Sequence, residues 1–147
     1  MRWDDLLFLH WPVEIGAMRA LVPAEFEIDT FGGHAWIALV PFRMVDARFR
    51  GFPPMPGLSN FYECNVRTYV RARNGSGEMV PGVWFFSLDA EHLLPVLGGN
   101  WLWSLNYIHS SFEVEHNDGV TDYKLQRRRD RNERTHIRWQ RGEALPR

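Results

Sequence analysis

Four polar side chains of different chemistry recur at every second residue of the stretch FYECNVRTYV, namely Glu63, Asn65, Arg67 and Tyr69. A β-strand sends alternate side chains to opposite faces, so the pattern predicts all four on one side of a sheet. Inside a pocket, Arg67 could bind a carboxylate or phosphate through its planar fork, and Asn65 could donate and accept hydrogen bonds. Burial there would raise the pKa of Glu63 and suit it to general acid or base chemistry.

Two other interpretations of these residues stay open. On an exposed strand, Glu63 and Arg67 would form a surface ion pair worth about 0–1 kcal/mol, and alternation alone favours this arrangement. The same side chains could instead form a buried network that holds the sheet together. The opposite side of the strand carries Cys64, the only cysteine of the chain. We expect this thiol to be buried and inert, and a single cysteine excludes an intramolecular disulfide.

Two charged stretches near the C-terminus are expected to be solvated surface. Lys124, the only lysine, lies among charged residues in TDYKLQRRR, and a relocated amine nucleophile is the minor alternative. The arginine-rich run 126–134 could be a nucleic-acid patch. We favour a solvated turn, because Asp130 and Glu133 interrupt the run and no aromatic residue is interleaved for base stacking.

No metal site and no cofactor is predicted. The six histidines show neither an HExxH pattern nor a close pair. His10, next to Trp11, is expected to be a core histidine with satisfied hydrogen bonds. The glycine pairs 32–33 and 98–99 match neither a Walker loop nor a dinucleotide-binding fingerprint.

The composition predicts a single cytoplasmic domain over residues 1–147. A chain of 147 residues with 45% hydrophobic content can bury a substantial core. Its formal net charge of −1 argues against nucleic acid or an anionic membrane as partner. No segment reaches the run of about 18 apolar residues that a membrane-spanning helix needs. The first residues also lack the small-residue cleavage site of a signal peptide.

The elements that would position these side chains are mostly strands. Strands are predicted over 6–11, on either side of Gly32-Gly33, over 60–73 and 81–90, on either side of Asp118-Gly119, and over the final RTHIRWQR. Apolar spacing predicts a helix within 13–23 and a short helix or irregular crossover over 91–99, and the three prolines of 47–59 predict a long loop. The predicted fold class is α+β, a mainly antiparallel, curved or barrel-like sheet with one or two short helices.

Four stretches carry a family resemblance: LLFLHWPV, MRALVPAEFEIDTFGGHAWIALVPFRM, FYECNVRTYV and PGVWFFSLDA. In this order and spacing they resemble the uncharacterised YqjF-like family, which is distantly similar to acetoacetate decarboxylase. The resemblance covers about residues 3–139 and implies an acetoacetate-decarboxylase-like fold, with a curved antiparallel sheet closing around a cavity. It further implies that Glu63 points into that cavity, since it falls where decarboxylases keep a pocket glutamate in a YxE strand.

The chain departs from that pattern in two places. With Trp103 as anchor, the resemblance puts the decarboxylase Schiff-base lysine at or beside Tyr107, next to Asn106. A phenol cannot form an iminium with a carbonyl, so acetoacetate decarboxylation by that route is not expected. Family members continue through a further block of strands, so we expect this chain to lack the family's C-terminal portion. A second chain could complete the cavity, as in a homo-oligomer.

Two functional hypotheses follow. The first is a domain that binds a small, anionic carboxylate without Schiff-base chemistry, using Asn65, Arg67, Tyr69, Asn106 and Tyr107. The second is a lysine-independent enzyme of the lyase or hydrolase type that acts on a small keto acid with Glu63 as general acid or base. A structural remnant or an assembly subunit is a third, weaker alternative.

Overall fold

The structure is a computed structural model that describes residues 2–47, 59–92 and 105–143. Within these ranges the chain forms nine strands and one short helix. In chain order they are β1 (Arg2–Asp4), β2 (Leu9–Val13), α1 (Ile15–Arg19), β3 (Glu27–Ile28), β4 (Ala35–Val45), β5 (Phe61–Arg73), β6 (Met79–Ala90), β7 (Tyr107–Asn117), β8 (Val120–Arg127) and β9 (Arg134–Gln140).

The described strands all belong to one sheet with the order β1-β4-β5-β6-β7-β8-β9, in which β2 also pairs with β4 and β3 with β5. Neighbours are antiparallel except β6 and β7, which run parallel where Leu88–Ala90 meets Tyr107–His109. The prediction of a mainly antiparallel sheet is therefore confirmed. The α+β class is only loosely supported, because the one helix in the described ranges has 5 residues.

The sheet curls back on itself into a half-barrel. Cys64 of β5 packs against Tyr123 and Leu125 of β8, although β6 and β7 separate these two strands in the sheet. The buried Tyr123 hydroxyl also donates a hydrogen bond of 3.1 Å to the backbone carbonyl of Glu63. We call the side of β5 that faces the curl, with Tyr62, Cys64, Val66 and Thr68, the inner face.

The inner face of β5 is covered at both ends by apolar side chains. At one end, Ile137 and Trp139 of β9 join the cluster around Cys64, so these two side chains share one face of their strand. At the other end, Met18 of α1 packs with Val70 of β5. The helix predicted within 13–23 therefore exists, and it is shorter than the apolar spacing suggested.

Turn chemistry explains where the strands reverse. Gly32 and Gly33 adopt φ values of 60° and 79° between β3 and β4, the left-handed region that glycine tolerates best. Asp118 and Gly119, at φ 49° and 77°, form the predicted hairpin turn between β7 and β8. The β3 strand pairs with β5 rather than with β4.

The β5–β6 pairing contains one irregularity. Val66 pairs with Ser87, but Arg67 pairs with Phe85, so Phe86 is an extra residue on β6. Such a β-bulge locally increases the twist and re-aims the side chains that follow. Phe86 packs in the same cluster as Val70, on the inner face.

Three predictions from the sequence remain partly or wholly outside the structure. The loop over 47–59 and the crossover over 91–99 lie mostly outside the described residues, as does the anchor Trp103. No helix within the described ranges has the length and apolar character that crossing a bilayer requires.

Candidate functional site

The polar side chains predicted from alternation lie together on β5, opposite the inner face. We call this side, with Glu63, Asn65, Arg67 and Tyr69, the polar face. Glu63 is 3% and Asn65 6% exposed, and Arg67 and Tyr69 are half-buried. An exposed strand with a surface ion pair therefore does not describe Glu63 and Asn65.

The polar face is set in apolar surroundings. On β4, Ala38, Val40 and Phe42 lie opposite Arg67, Asn65 and Glu63, respectively. On β6, the buried Leu88 and Ala90 lie opposite Asn65 and Glu63. Few neighbouring dipoles are available to replace water around the buried carboxyl, so its charged form is disfavoured.

Burial raises the pKa of Glu63 to about 7. Hydrogen bonding from the side chains of Asn65 and Tyr107 favours the charged form and limits the shift. The pKa of Tyr107 is itself raised, mainly by burial and further by the neighbouring Glu63. A carboxyl group with a pKa near neutrality can take up and release a proton at physiological pH, as a general acid or base must.

Three buried side-chain atoms of the polar face have no hydrogen-bond partner among the described residues. They are Oε2 of Glu63, Oδ1 of Asn65 and Nε of Arg67. Leaving a buried polar group unpaired costs about 1–3 kcal/mol, so native proteins seldom do it. Here three such atoms lie at successive alternate positions of one strand, on the same face of the sheet.

Arg67 is held by aromatic rings rather than by an acid. Its guanidinium carbon lies 5.4 Å from the ring centroid of Phe8 and 5.9 Å from that of Tyr69. The ion pairs that the described residues form do not include Arg67. The sequence outside the described ranges contains no aspartate or glutamate. The positive charge of Arg67 therefore suits an anion that comes from outside the chain.

His10 belongs to this site, and the prediction that it is a core histidine is wrong. It is exposed, its Nε2 lies 2.6 Å from the Tyr69 hydroxyl, and its ring stacks on Tyr69 and Phe8. The register explains the contact, because His10 pairs with Ala38, and Ala38 pairs with Arg67. Phe8 and His10 are two residues apart, a spacing that places both side chains on one side of a strand, and this was the sequence signal that could have predicted their contact.

The other two predicted ligand-binding residues behave differently. Tyr107 is half-buried and pairs with Leu88, which in turn lies opposite Asn65, so Tyr107 joins the polar face. Asn106 is exposed, and its amide donates a hydrogen bond of 2.6 Å to the backbone carbonyl of Phe86. The Asn106 side chain is thus engaged in holding the backbone.

The remaining reactive residues lie elsewhere. The Lys124 side chain is 47% exposed, with its Nζ 3.5 Å from Oδ1 of Asp122. Cys64 is buried, and burial raises the pKa of its thiol, as expected of an inert cysteine. Within residues 2–47, 59–92 and 105–143, no group of three or more histidine, cysteine, aspartate or glutamate side chains is placed to hold a metal ion.

A second buried carboxylate lies on the inner side of the sheet and was missed from the sequence. Asp89 is 3% exposed and pairs across β5–β6 with Cys64. Its Oδ1 accepts hydrogen bonds from Ser110 at 2.7 Å and from Nε of Arg127 at 2.9 Å, and its Oδ2 accepts one from Nη2 of Arg127 at 3.1 Å. Arg127 also pairs with Glu133, whereas residues 128–133 are exposed and connect β8 to β9, as expected of a solvated turn.

The curled sheet defines the fold of the chain. It is similar to a crystal structure of acetoacetate decarboxylase from Legionella pneumophila, with a TM-score of 0.60 and 15% sequence identity over 83% of this chain and 42% of that one. A second solved structure of acetoacetate decarboxylase gives a TM-score of 0.61 and 16% identity over 82% of this chain and 43% of that one. The chain therefore has an acetoacetate-decarboxylase-like fold.

The chain belongs to the DUF2071 family, described as an uncharacterized conserved protein, whose model matches residues 1–147. It is 42% identical over 134 residues to the uncharacterized protein YqjF of Bacillus subtilis, which confirms the resemblance noted in the sequence. The match covers 91% of this chain and 53% of that relative, so the chain spans about half the length of the curated relative it matches.

Proposed function

We propose that the polar face of β5 binds a small carboxylate without forming a covalent bond to it. The observation that carries the proposal is the buried, unpartnered Nε of Arg67, which lies on the same face as two further unpartnered buried atoms, on Glu63 and Asn65. A bound carboxylate accepts hydrogen bonds from Arg67 in a planar, charge-assisted geometry. Tyr107 and Tyr69 would flank it and orient it.

The charge distribution supports an anion rather than a cation. Arg67 has no acidic partner among the described residues, whereas Glu63 can become neutral by taking up a proton at a pKa of about 7. A protonated Glu63 leaves the site with the single positive charge of Arg67. An anion bound there would supply the missing counter-charge.

Schiff-base catalysis is not part of the proposal. Tyr107, at or beside the position that the resemblance implies for the lysine, offers a phenol, which cannot form an iminium. Lys124 is half-exposed and ion-paired with Asp122. The chain would therefore keep the decarboxylase-like fold as a binding scaffold, with no cofactor, in the cytoplasm. Assembly with a second copy remains compatible with this role.

A thermal-shift screen of small carboxylic acids tests the binding function. We expect at least one acid to raise the melting temperature of the wild type and to lose that effect in Arg67→Ala. The matched control is Arg71→Ala, which removes an exposed arginine from the same strand and should leave the effect intact. A flat screen for the wild type, or equal loss in both variants, would count against the proposal.

A second candidate function is proton transfer to a bound keto acid by Glu63, in a lyase or hydrolase reaction. The specific support is a carboxyl group with a pKa of about 7 that interacts with the Tyr107 hydroxyl. Glu63→Gln should then abolish turnover of the acid found in the screen while the variant still binds it. Unchanged turnover would remove Glu63 from the mechanism, and Glu113→Gln, at an exposed position of β7, is the control.

A further inference from the structure

We propose that the ligand is a small hydroxy acid, which presents a hydroxyl hydrogen-bond donor next to its carboxylate, rather than a keto acid. This inference deepens the proposed function and rests on it. It comes from the kind of atom that each side chain of the polar face leaves without a partner.

The unpartnered atom of Asn65 requires a hydrogen-bond donor from the ligand. Its hydrogen bond to Glu63 favours the charged carboxylate, so the Asn65 side chain must be donating through its NH₂ group. That orientation leaves Oδ1, the unpartnered buried atom, as an acceptor only. A ligand carboxylate cannot satisfy it, because a carboxylate is also only an acceptor.

The unpartnered atom of Arg67 requires a hydrogen-bond acceptor from the ligand. Its unpartnered Nε carries a hydrogen and no lone pair, so a ligand carboxylate suits it. Asn65 and Arg67 are two residues apart on β5, which separates their Cα atoms by about 6.6 Å. Their side chains lie on the same face, so an acid of three or four carbons could meet both atoms at once.

Glu63 can serve a hydroxyl in either protonation state. The unpartnered Oε2 donates when the carboxyl is protonated and accepts when it is ionised. A hydroxyl can donate to Oδ1 of Asn65 and still accept from a protonated Glu63. A ketone oxygen could only accept and would leave Asn65 unpaired, and an ammonium group would be repelled by Arg67.

The test compares matched pairs of acids that differ only in oxidation state, 3-hydroxybutyrate against acetoacetate and lactate against pyruvate, by calorimetric titration of the wild-type protein. Leaving one buried acceptor unmet should weaken keto-acid binding at least about fivefold within a pair. Asn65→Ala should bind both members of the preferred pair with nearly equal affinity. Asn65→Asp, which keeps the side-chain shape and an acceptor oxygen at this position, should keep the preference for the hydroxyl.

Each outcome of the titration is decisive. A hydroxy acid that binds at least about fivefold tighter in the wild type, with the preference lost in Asn65→Ala, supports the inference. A smaller preference, tighter binding of the keto acid, or a preference that persists in a folded Asn65→Ala overturns it, while the proposed carboxylate site stands. Absence of binding by all four acids and by every acid of the wider screen overturns the proposed function itself. The wild-type ratio decides the question even if Asn65→Ala does not fold.

Discussion

The β5–β6 pair buries two carboxylic acids on opposite sides, and the sheet treats them in opposite ways. Asp89 faces the curl and receives three hydrogen bonds, two of them from one guanidinium. Glu63 faces the other way, keeps one oxygen without a partner among the described residues, and has its pKa raised to about 7. Hydrogen bonds from Ser110 and Arg127 stabilise the Asp89 carboxylate, whereas burial favours the protonated form of Glu63.

This contrast separates a carboxylate with complete partners from one that suits the proposed ligand site. A buried charge with complete partners is the arrangement that a fold needs in order to tolerate it. The Glu63 carboxyl, with an unpartnered oxygen and a pKa of about 7, is not stabilised in this way, and perturbed groups of this kind concentrate at functional sites. The same substitution made at the two positions should therefore give opposite results.

The largest effect is expected from Asp89→Asn. Removal of the carboxylate leaves Arg127 without its main counter-charge in a mostly buried position, which should lower the free energy of unfolding by about 3 kcal/mol. Urea denaturation at pH 7 measures it, with Glu113→Gln on the exposed part of β7 as control. A loss of unfolding free energy no greater than that of the control would show that Asp89 has no structural role. Adding Arg127→Leu to Asp89→Asn removes the unpaired charge and should recover part of the lost stability.

The next effect has the opposite sign and depends on pH. The folded pKa of Glu63, about 7, lies above its ordinary value of 4.5, so the folded state holds a proton that the unfolded state releases. Its contribution to stability is full below pH 4.5 and disappears as pH rises to about 7. Glu63→Gln never ionises, so at pH 8 it should be more stable than the wild type by about 3 kcal/mol. Urea denaturation at pH 5 and pH 8 checks this, and an equal difference at both values would contradict the assignment.

A smaller loss should follow from Tyr69→Phe. The substitution removes the hydroxyl that lies 2.6 Å from Nε2 of His10 but keeps the ring under Arg67. We expect a loss of about 0.5–1.5 kcal/mol, towards the lower limit because His10 is exposed. A double-mutant cycle with His10→Ala isolates the pair, and a coupling energy of zero would show that the contact contributes nothing.

Lys124→Met is the reference substitution, at an exposed charge, against which the stability changes at Asp89 and Glu63 are compared. The lysine is half-exposed and its ion pair with Asp122 is solvated, so the free energy of unfolding should not change measurably. Borohydride trapping with small ketones should give no adduct with the wild type or with the variant. An adduct mapped to Lys124 would restore the amine chemistry that the proposed function leaves out.

Local patterns in the sequence predicted the structural features that depend only on residues close together in the chain, namely side-chain direction in a strand and the position of a hairpin turn. Alternation in FYECNVRTYV placed Glu63, Asn65 and Arg67 on one side of a strand, because side-chain direction in a strand has a period of two. The Asp118-Gly119 pair predicted its hairpin, because that turn needs positive φ at both positions.

Contacts between distant residues could not be predicted in this way. Asp89 meets Arg127 across 38 residues, and His10 meets Tyr69 across 59. Both contacts depend on which strands are neighbours and on how far the sheet curls, and periodicity carries no information on either. The parallel β6–β7 pair was missed for the same reason, because neither strand differs in pattern from an antiparallel one.

The extra residue Phe86 sets which side chains of β6 point to the inner face. Before the bulge, Trp84 packs in the apolar cluster around Val70, and after the bulge, Asp89 pairs with Cys64 on the same face. Deleting this one residue would turn every later side chain of the strand through half a rotation and point the acid towards Glu63. Single-residue length changes should thus be tolerated in the NGSG reversal and rejected between Trp84 and Ser87, whatever the hydrophobicity of the residue lost.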